Sequence, residues 1–136
     1  MLEVAAVILT DERDRIFICR REVGGSCGNL WEFPGGKREP NETMEACAMR
    51  ECQEELGVTI EIDGIFDQHT FAYPDREIAF TFFWGHIAEG VPQMRVHSGL
   101  CWAERAELAQ FDFCPADTEL VTRLARGALI EKRRLQ

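Results

Sequence analysis

The sequence predicts an α/β protein, a mixed β-sheet flanked by helices. Two observations carry that prediction. Strongly β-forming segments, above all "LEVAAVILT" and "EIAFTFFWGHI", alternate with two segments of helical pattern, "ETMEACAMRECQEEL" and "PADTELVTRLARGALIEKRR". Several strand segments are also separated only by short turns such as "DERD" and "PDR", so antiparallel hairpins enter the sheet.

The elements read in order as follows. "LEVAAVILT" is a buried strand, "DERD" a turn, and "IFICRR" a second strand forming a hairpin with the first. "EVGGSCGN" is a glycine-rich loop, "LWEF" a short extended stretch, and "PGGK" a break. The first helix is capped by Asn41 or Thr43 and ends at Gly57, which suits the left-handed position after a helix. "VTIEIDGIFDQHTFAY" alternates as a strand with a bend at Gly64, and "EIAFTFFWGHI" follows the "PDR" turn. "GLCWAE" is a short strand and "RAELAQF" a helical turn. The C-terminal helix carries Pro115 near its start, where a missing N–H costs nothing.

A chain of 136 residues with no internal repeat, low-complexity tract or linker reads as one domain, 1–136. No apolar run is long enough to span a bilayer, and no signal peptide is evident, so a cytoplasmic location is the expectation. The net charge of −9 argues against binding a nucleic-acid polymer. An anionic ligand would need a bridging cation or a local basic patch, and Arg20, Arg21, Lys37 and Arg38 supply one. The basic tail "EKRRLQ" reads as a solvated helix end or a disordered terminus. None of the six cysteines forms a C-x-x-C pair; they read as reduced packing thiols, with Cys27 the best candidate for an exposed one.

The chemistry concentrates in the first helix. At 100° per residue, Glu51, Glu54 and Glu55 share one sector of about 100°, while Met49, Cys52 and Leu56 fall on a stripe that can face the core. The three carboxylates repel one another and lie in the half of the helix where the macrodipole disfavours negative charge. A solvated acidic face leaves this convergence unexplained. A divalent cation explains it, because Mg²⁺ takes a few carboxylates together with substrate phosphates.

Residues 36–58, "GKREPNETMEACAMRECQEELGV", resemble the Nudix box: a Gly, five residues, a Glu, seven residues, then Arg-Glu-aliphatic-x-Glu-Glu-x-Gly-aliphatic. Gly36, Glu42, Arg50, Glu51, Glu54, Glu55, Gly57 and Val58 match in register, and Cys52 stands at an aliphatic position. "IFICRR", "LWEFPGGK", "YPDR" and "PAD" are similar, in order, to stretches of the MutT-like branch, with "PAD" closer to its CTP pyrophosphohydrolases. The resemblance implies the Nudix α/β/α sandwich and Mg²⁺, with Mn²⁺ as a substitute, held by the Gly36 carbonyl, Glu51, Glu54 and Glu55. It implies that Glu42 braces Arg50, and that Glu54, with Glu55 second, is the general base. Some relatives carry a further glutamate before the late Trp; here Val96 and His97 occupy that region, leaving His97 as a weak substitute.

The far end of such a site would bind the base. The resemblance implies Phe111 or Phe113 for stacking, Asp117 for hydrogen bonding, and Arg21, Lys37 and Arg76 for base or phosphate contacts. An ionised Asp117 would accept from the amine of cytosine or guanine, whereas a bland Asp117 would simply cap the helix. The expected activity is hydrolysis of (d)NTPs of the CTP, modified dCTP or 8-oxo-dGTP type to NMP and pyrophosphate, by a monomer or homodimer. The alternatives are another nucleoside diphosphate-X substrate, such as a dinucleoside polyphosphate or sugar nucleotide, and a non-catalytic nucleotide sensor.

Overall fold

The computed structural model describes residues 1–127; the "EKRRLQ" tail and the end of the expected C-terminal helix lie outside it. Among the described residues there are seven strands: β1 Leu2–Leu9, β2 Ile16–Arg21, β3 Trp31–Glu32, β4 Gly35–Lys37, β5 Thr59–Tyr73, β6 Arg76–Glu89 and β7 His97–Ala103. The helices are α1, Met44–Leu56, and α2, Thr118–Ala125, with 3-10 turns at Arg105–Gln110 and Pro115–Asp117. One sheet runs β4-β1-β6-β5, with β1 and β6 parallel, and the other runs β3-β2-β7.

Strand alternation builds the layers. Ala5, Val7 and Leu9 of β1 join Phe17 and Cys19 of β2 in a core closed by Cys47, Ala48, Cys52 and Leu56 of α1. Ala6 and Ile8 join Ile16 and Ile18 in a second core closed by Leu120, Val121 and Leu124 of α2. Both strands are therefore buried on two faces, as their near-continuous apolar sequences require. This is the expected sandwich of sheet between helices.

The expected β1–β2 hairpin is not formed. The two strands are not paired in one sheet; an isolated bridge joins Thr10 to Ile16, and β1 and β2 then enter different sheets. Residues 31–37 fill the gap: β3 pairs with β2, β4 pairs with β1, and Val7 N–H donates to the Pro34 carbonyl at 2.9 Å. "PGGK" is accordingly not a simple break, since its two glycines begin β4. A side chain on Gly35 would collide with the Ala5 carbonyl, so glycine permits this close pairing.

Helix α1 keeps the caps expected of it. Thr43, not Asn41, is the N-cap, accepting from Ala46 N–H at 3.0 Å, and Gly57 closes the helix at φ 71°. Cys52 and Leu56 are buried, but Met49 is 43% exposed, because the buried face rotates onto Cys47 and Ala48 instead. Strand β5 does bend at Gly64, through shifts of register against β6. Arg76, read as part of a turn, is already in β6 opposite Tyr73, and β7 begins at His97. Among the described residues no helix is long and apolar enough to cross a membrane.

Candidate active site

Gly36 of β4 faces the middle of α1. A Cβ at Gly36 would collide with the Glu51 carboxylate, so only glycine lets the Gly36 backbone and that side chain meet. The Cys47 thiol donates to the Gly36 carbonyl at 3.4 Å, tying strand to helix.

Arg50 organises the acidic residues. Its guanidinium grips Glu42 through two hydrogen bonds, Nε to Oε2 at 3.0 Å and Nη2 to Oε1 at 2.7 Å. It also reaches Glu51 at 3.1 Å, Glu54 at 3.2 Å and the Lys37 carbonyl at 3.0 Å. These bonds hold the Glu42 carboxyl down at about 2. Such a fork fixes the orientation of carboxylates that would otherwise repel.

Glu55 is the strained member. Burial, then the charges of Glu51 and Glu32, push its carboxyl up to about 8, and its Oε1 is buried with no hydrogen-bond partner. Burial also raises Glu51. Glu54 is the open one, with 60% of its side chain exposed. An orphaned carboxylate oxygen, two carboxyls disfavoured as anions and a carbonyl-bearing glycine against them form a donor set of hard oxygens that fits a divalent cation such as Mg²⁺.

Gly36, Glu51, Glu54 and Glu55 all line a cleft of about 680 Å³. Leu2, Val4 and Ala6 of β1 and Ile78 and Phe80 of β6 make an apolar floor. Arg21, Lys37, Arg76 and Asp117 line it too. Phe113 does not line it. Its ring is 7% exposed, packed on Phe33 at 5.6 Å, and Phe111 packs on Trp31 at 5.0 Å, so both serve the core rather than stacking on a ligand. Among the described residues, Phe33, Tyr73 and Phe80 are the aromatic residues that line the cleft.

Asp117 is 5% exposed and makes no capping hydrogen bond, so the helix-cap reading fails. Burial, then the Glu32 charge, push its carboxyl well above the ordinary range. The neutral acid is favoured, which both donates and accepts, unlike the ionised acceptor expected from sequence. The folded state thus binds a proton that the unfolded chain releases above about pH 3.8, and stability falls as pH rises from there toward the folded pKa. Asp117→Asn, a permanently neutral isostere, is expected to melt a few degrees above wild type at neutral pH, with the difference vanishing in acid; melting curves from pH 3 to 8 check this.

Glu32 is the residue that sequence reasoning missed; its one signal was a charge inside the short apolar stretch "LWEF". It lies in the cleft, where its charge bears on both Glu55 and Asp117. It is held by Arg21 at 3.1 Å and by His97 Nε2 at 3.3 Å. His97 is no loop residue: it is 7% exposed at the start of β7. Cys19, Glu32 and His97 offer potential ligand atoms within 4.8 Å of one another. Their mutual bonding explains this grouping, since the Cys19 thiol donates to the Glu32 carbonyl at 3.5 Å. Asp117 reaches Glu32 because residues 112–114 run beside β3, with Trp31 N–H donating to Asp112 O at 2.8 Å and Cys114 N–H to Trp31 O at 2.9 Å.

The loop–helix carboxylate cluster opens on a cleft with an apolar floor and basic side chains, a site suited to hydrolysis of a phosphoanhydride. The NUDIX domain pattern matches residues 2–126, and the chain belongs to the Nudix family, in its MutT-like branch of hydrolases. It is 35% identical over 125 residues to an 8-oxo-dGTP diphosphatase of Escherichia coli strain K12, covering 92% of this chain and 97% of that one. It is 34% identical over 124 residues to the CTP pyrophosphohydrolase of the same strain, covering 89% of each. The solution structure of the E. coli ORF135 protein superposes with a TM-score of 0.77 at 31% identity, covering 95% of each chain.

Proposed function

We propose that this protein is an Mg²⁺-dependent nucleoside triphosphate pyrophosphohydrolase of the cytoplasm that converts (d)NTPs of the CTP, modified dCTP or 8-oxo-dGTP type to NMP and pyrophosphate. The observation that carries the reading is a single cleft lined both by the Glu51, Glu54 and Glu55 carboxyls and by a buried carboxyl, Asp117. The names of the relatives, an 8-oxo-dGTP diphosphatase and a CTP pyrophosphohydrolase, support the same substrate class.

Gly36, through its carbonyl, with Glu51, Glu54 and Glu55, would hold the cation. Bound there, Mg²⁺ would offset phosphate charge and lower the pKa of a coordinated water. The chain's own groups do the rest. Arg50, clamped by Glu42, keeps Glu51 and Glu54 aimed into the cleft. Glu54, solvent-exposed, would take the proton of the attacking water. Lys37 and Arg76 line the cleft and would contact the phosphates, while Asp117 and Glu32 would contact the base.

Pyrophosphate release from CTP, dCTP, 5-substituted dCTPs and 8-oxo-dGTP tests the proposal. No release from any of them, with turnover of a dinucleoside polyphosphate or a sugar nucleotide instead, would transfer the activity to another nucleoside diphosphate-X. Excess EDTA is expected to abolish turnover, and added Mg²⁺ or Mn²⁺ to restore it; activity persisting in EDTA removes the metal role.

A further inference from the structure

We propose that Cys27 and Cys114 form a peroxide-sensitive dithiol across the base end of the cleft, and that its oxidation to a disulfide shuts the nucleotide site. Among the described residues these are the two cysteines that line the cleft. The two thiols are near enough for one to bear on the other's ionisation, and Tyr73 lines the same part of the wall. Cys19, Cys47 and Cys52 are fully buried in the core beneath α1, away from this opening.

The two thiols are unlike in setting. Cys27 is partly exposed, at φ 61° in the glycine-rich loop. That loop folds back on itself, since a Cβ on Gly28 would lie 2.7 Å from the Gly24 backbone, while Gly24 and Gly25 have open space around them. Small adjustments there can bring the Cys27 sulfur to bonding distance. Cys114 is fixed: its N–H is bonded to Trp31 O and Pro115 follows it. Cys114 is 6% exposed whereas Cys27 is partly open to solvent, so peroxide meets Cys27 first, which makes Cys27 the attacking group and Cys114 the resolving one.

The chemistry balances with a hydroperoxide as oxidant. The Cys27 sulfur attacks the O–O bond of hydrogen peroxide, giving the sulfenic acid and one water. The Cys114 sulfur then displaces the sulfenic oxygen, which leaves as a second water, and the S–S bond forms. Two electrons pass from the two thiols to the peroxide. The bond would tie the loop to the turn that carries Asp117, whose N–H is bonded to the Cys114 carbonyl at 2.9 Å. The loop would then lie fixed beside Tyr73 and Asp117, where the base would enter.

The effect on activity rests on the nucleotide reading of the cleft; the covalent step does not. The test is hydrogen peroxide treatment of the whole protein, followed by peptide mapping and by kcat/KM with CTP before and after dithiothreitol. The expected result is a cross-linked Cys27–Cys114 peptide lighter by two hydrogens. It should come with at least an about tenfold fall in kcat/KM, mostly in KM, that the reductant reverses. Cys27→Ser should remove the cross-link and the reversible loss together. In Cys114→Ser, Cys27 should instead gain oxygen without a cross-link. A wild-type protein that forms no such cross-link overturns the dithiol. A cross-linked protein with unchanged kcat/KM, or an equal reversible loss in Cys27→Ser, overturns the control of the site. An enzyme inactive on every nucleotide would sink the proposed function, while the mapped peptide still decides the disulfide.

Discussion

Glu54→Gln is expected to lower kcat by about a hundredfold or more, a barrier increase of about 3 kcal/mol, with the fold intact. The change swaps one oxygen for an amide on a side chain that is 60% exposed. Among the described residues its side-chain partner is the Arg50 guanidinium at 3.2 Å, and Arg50 retains Glu42 and Glu51. The loss should therefore appear in kcat and not in the melting temperature. Glu55→Gln should behave differently. The amide resembles the protonated acid that Glu55 favours when no cation is bound, so stability should hold while the dependence on Mg²⁺ concentration weakens. Rapid-quench or steady-state kinetics at saturating Mg²⁺, with a melting curve for each variant, separates the two. A folded Glu54→Gln within about threefold of wild type would pass the base role to Glu55.

The second large effect is expected at Asp117. Asp117→Ala should cut kcat/KM for CTP by about ten- to a hundredfold, mainly through KM, because it removes a buried hydrogen-bonding group at the end remote from the phosphates. Asp117→Asn discriminates between two states of the carboxyl. If the neutral acid binds the base, an amide also donates and accepts, and kcat/KM for CTP should stay within about threefold. If an ionised acceptor is required, Asn should fall about as far as Ala. Measuring CTP, UTP and 8-oxo-dGTP on both variants reads the preference directly. Ratios unchanged in Asp117→Ala would remove this residue from base recognition.

The carboxylate helix was legible without coordinates because its signals are local. Glu51, Glu54 and Glu55 share a face through the 3.6-residue period, and Thr43 and Gly57 mark the ends by capping chemistry. The Glu42–Arg50 brace was implied by the motif and is present, at 2.7 and 3.0 Å. Phe113 shows the limit of such reading. An aromatic beside "PAD" suits stacking as well as core packing, and only the approach of Phe33 decides between them.

What the sequence determined by itself is what repeats at short range: strand alternation, the helix and its caps, and the register of the Nudix box. What the tertiary structure alone decided depends on residues far apart in the chain. β1 and β2 part because residues 31–37 satisfy the hydrogen-bonding edges of both. Glu32 and His97 meet because β2 brings β3 and β7 into one sheet. Asp117 favours its neutral form because the packing of the 112–117 segment against β3 removes it from water and sets it near the Glu32 charge. Burial and electrostatic surroundings belong to the assembled fold, so a charge state read from the residue type alone had to be revised once the chain was folded around it.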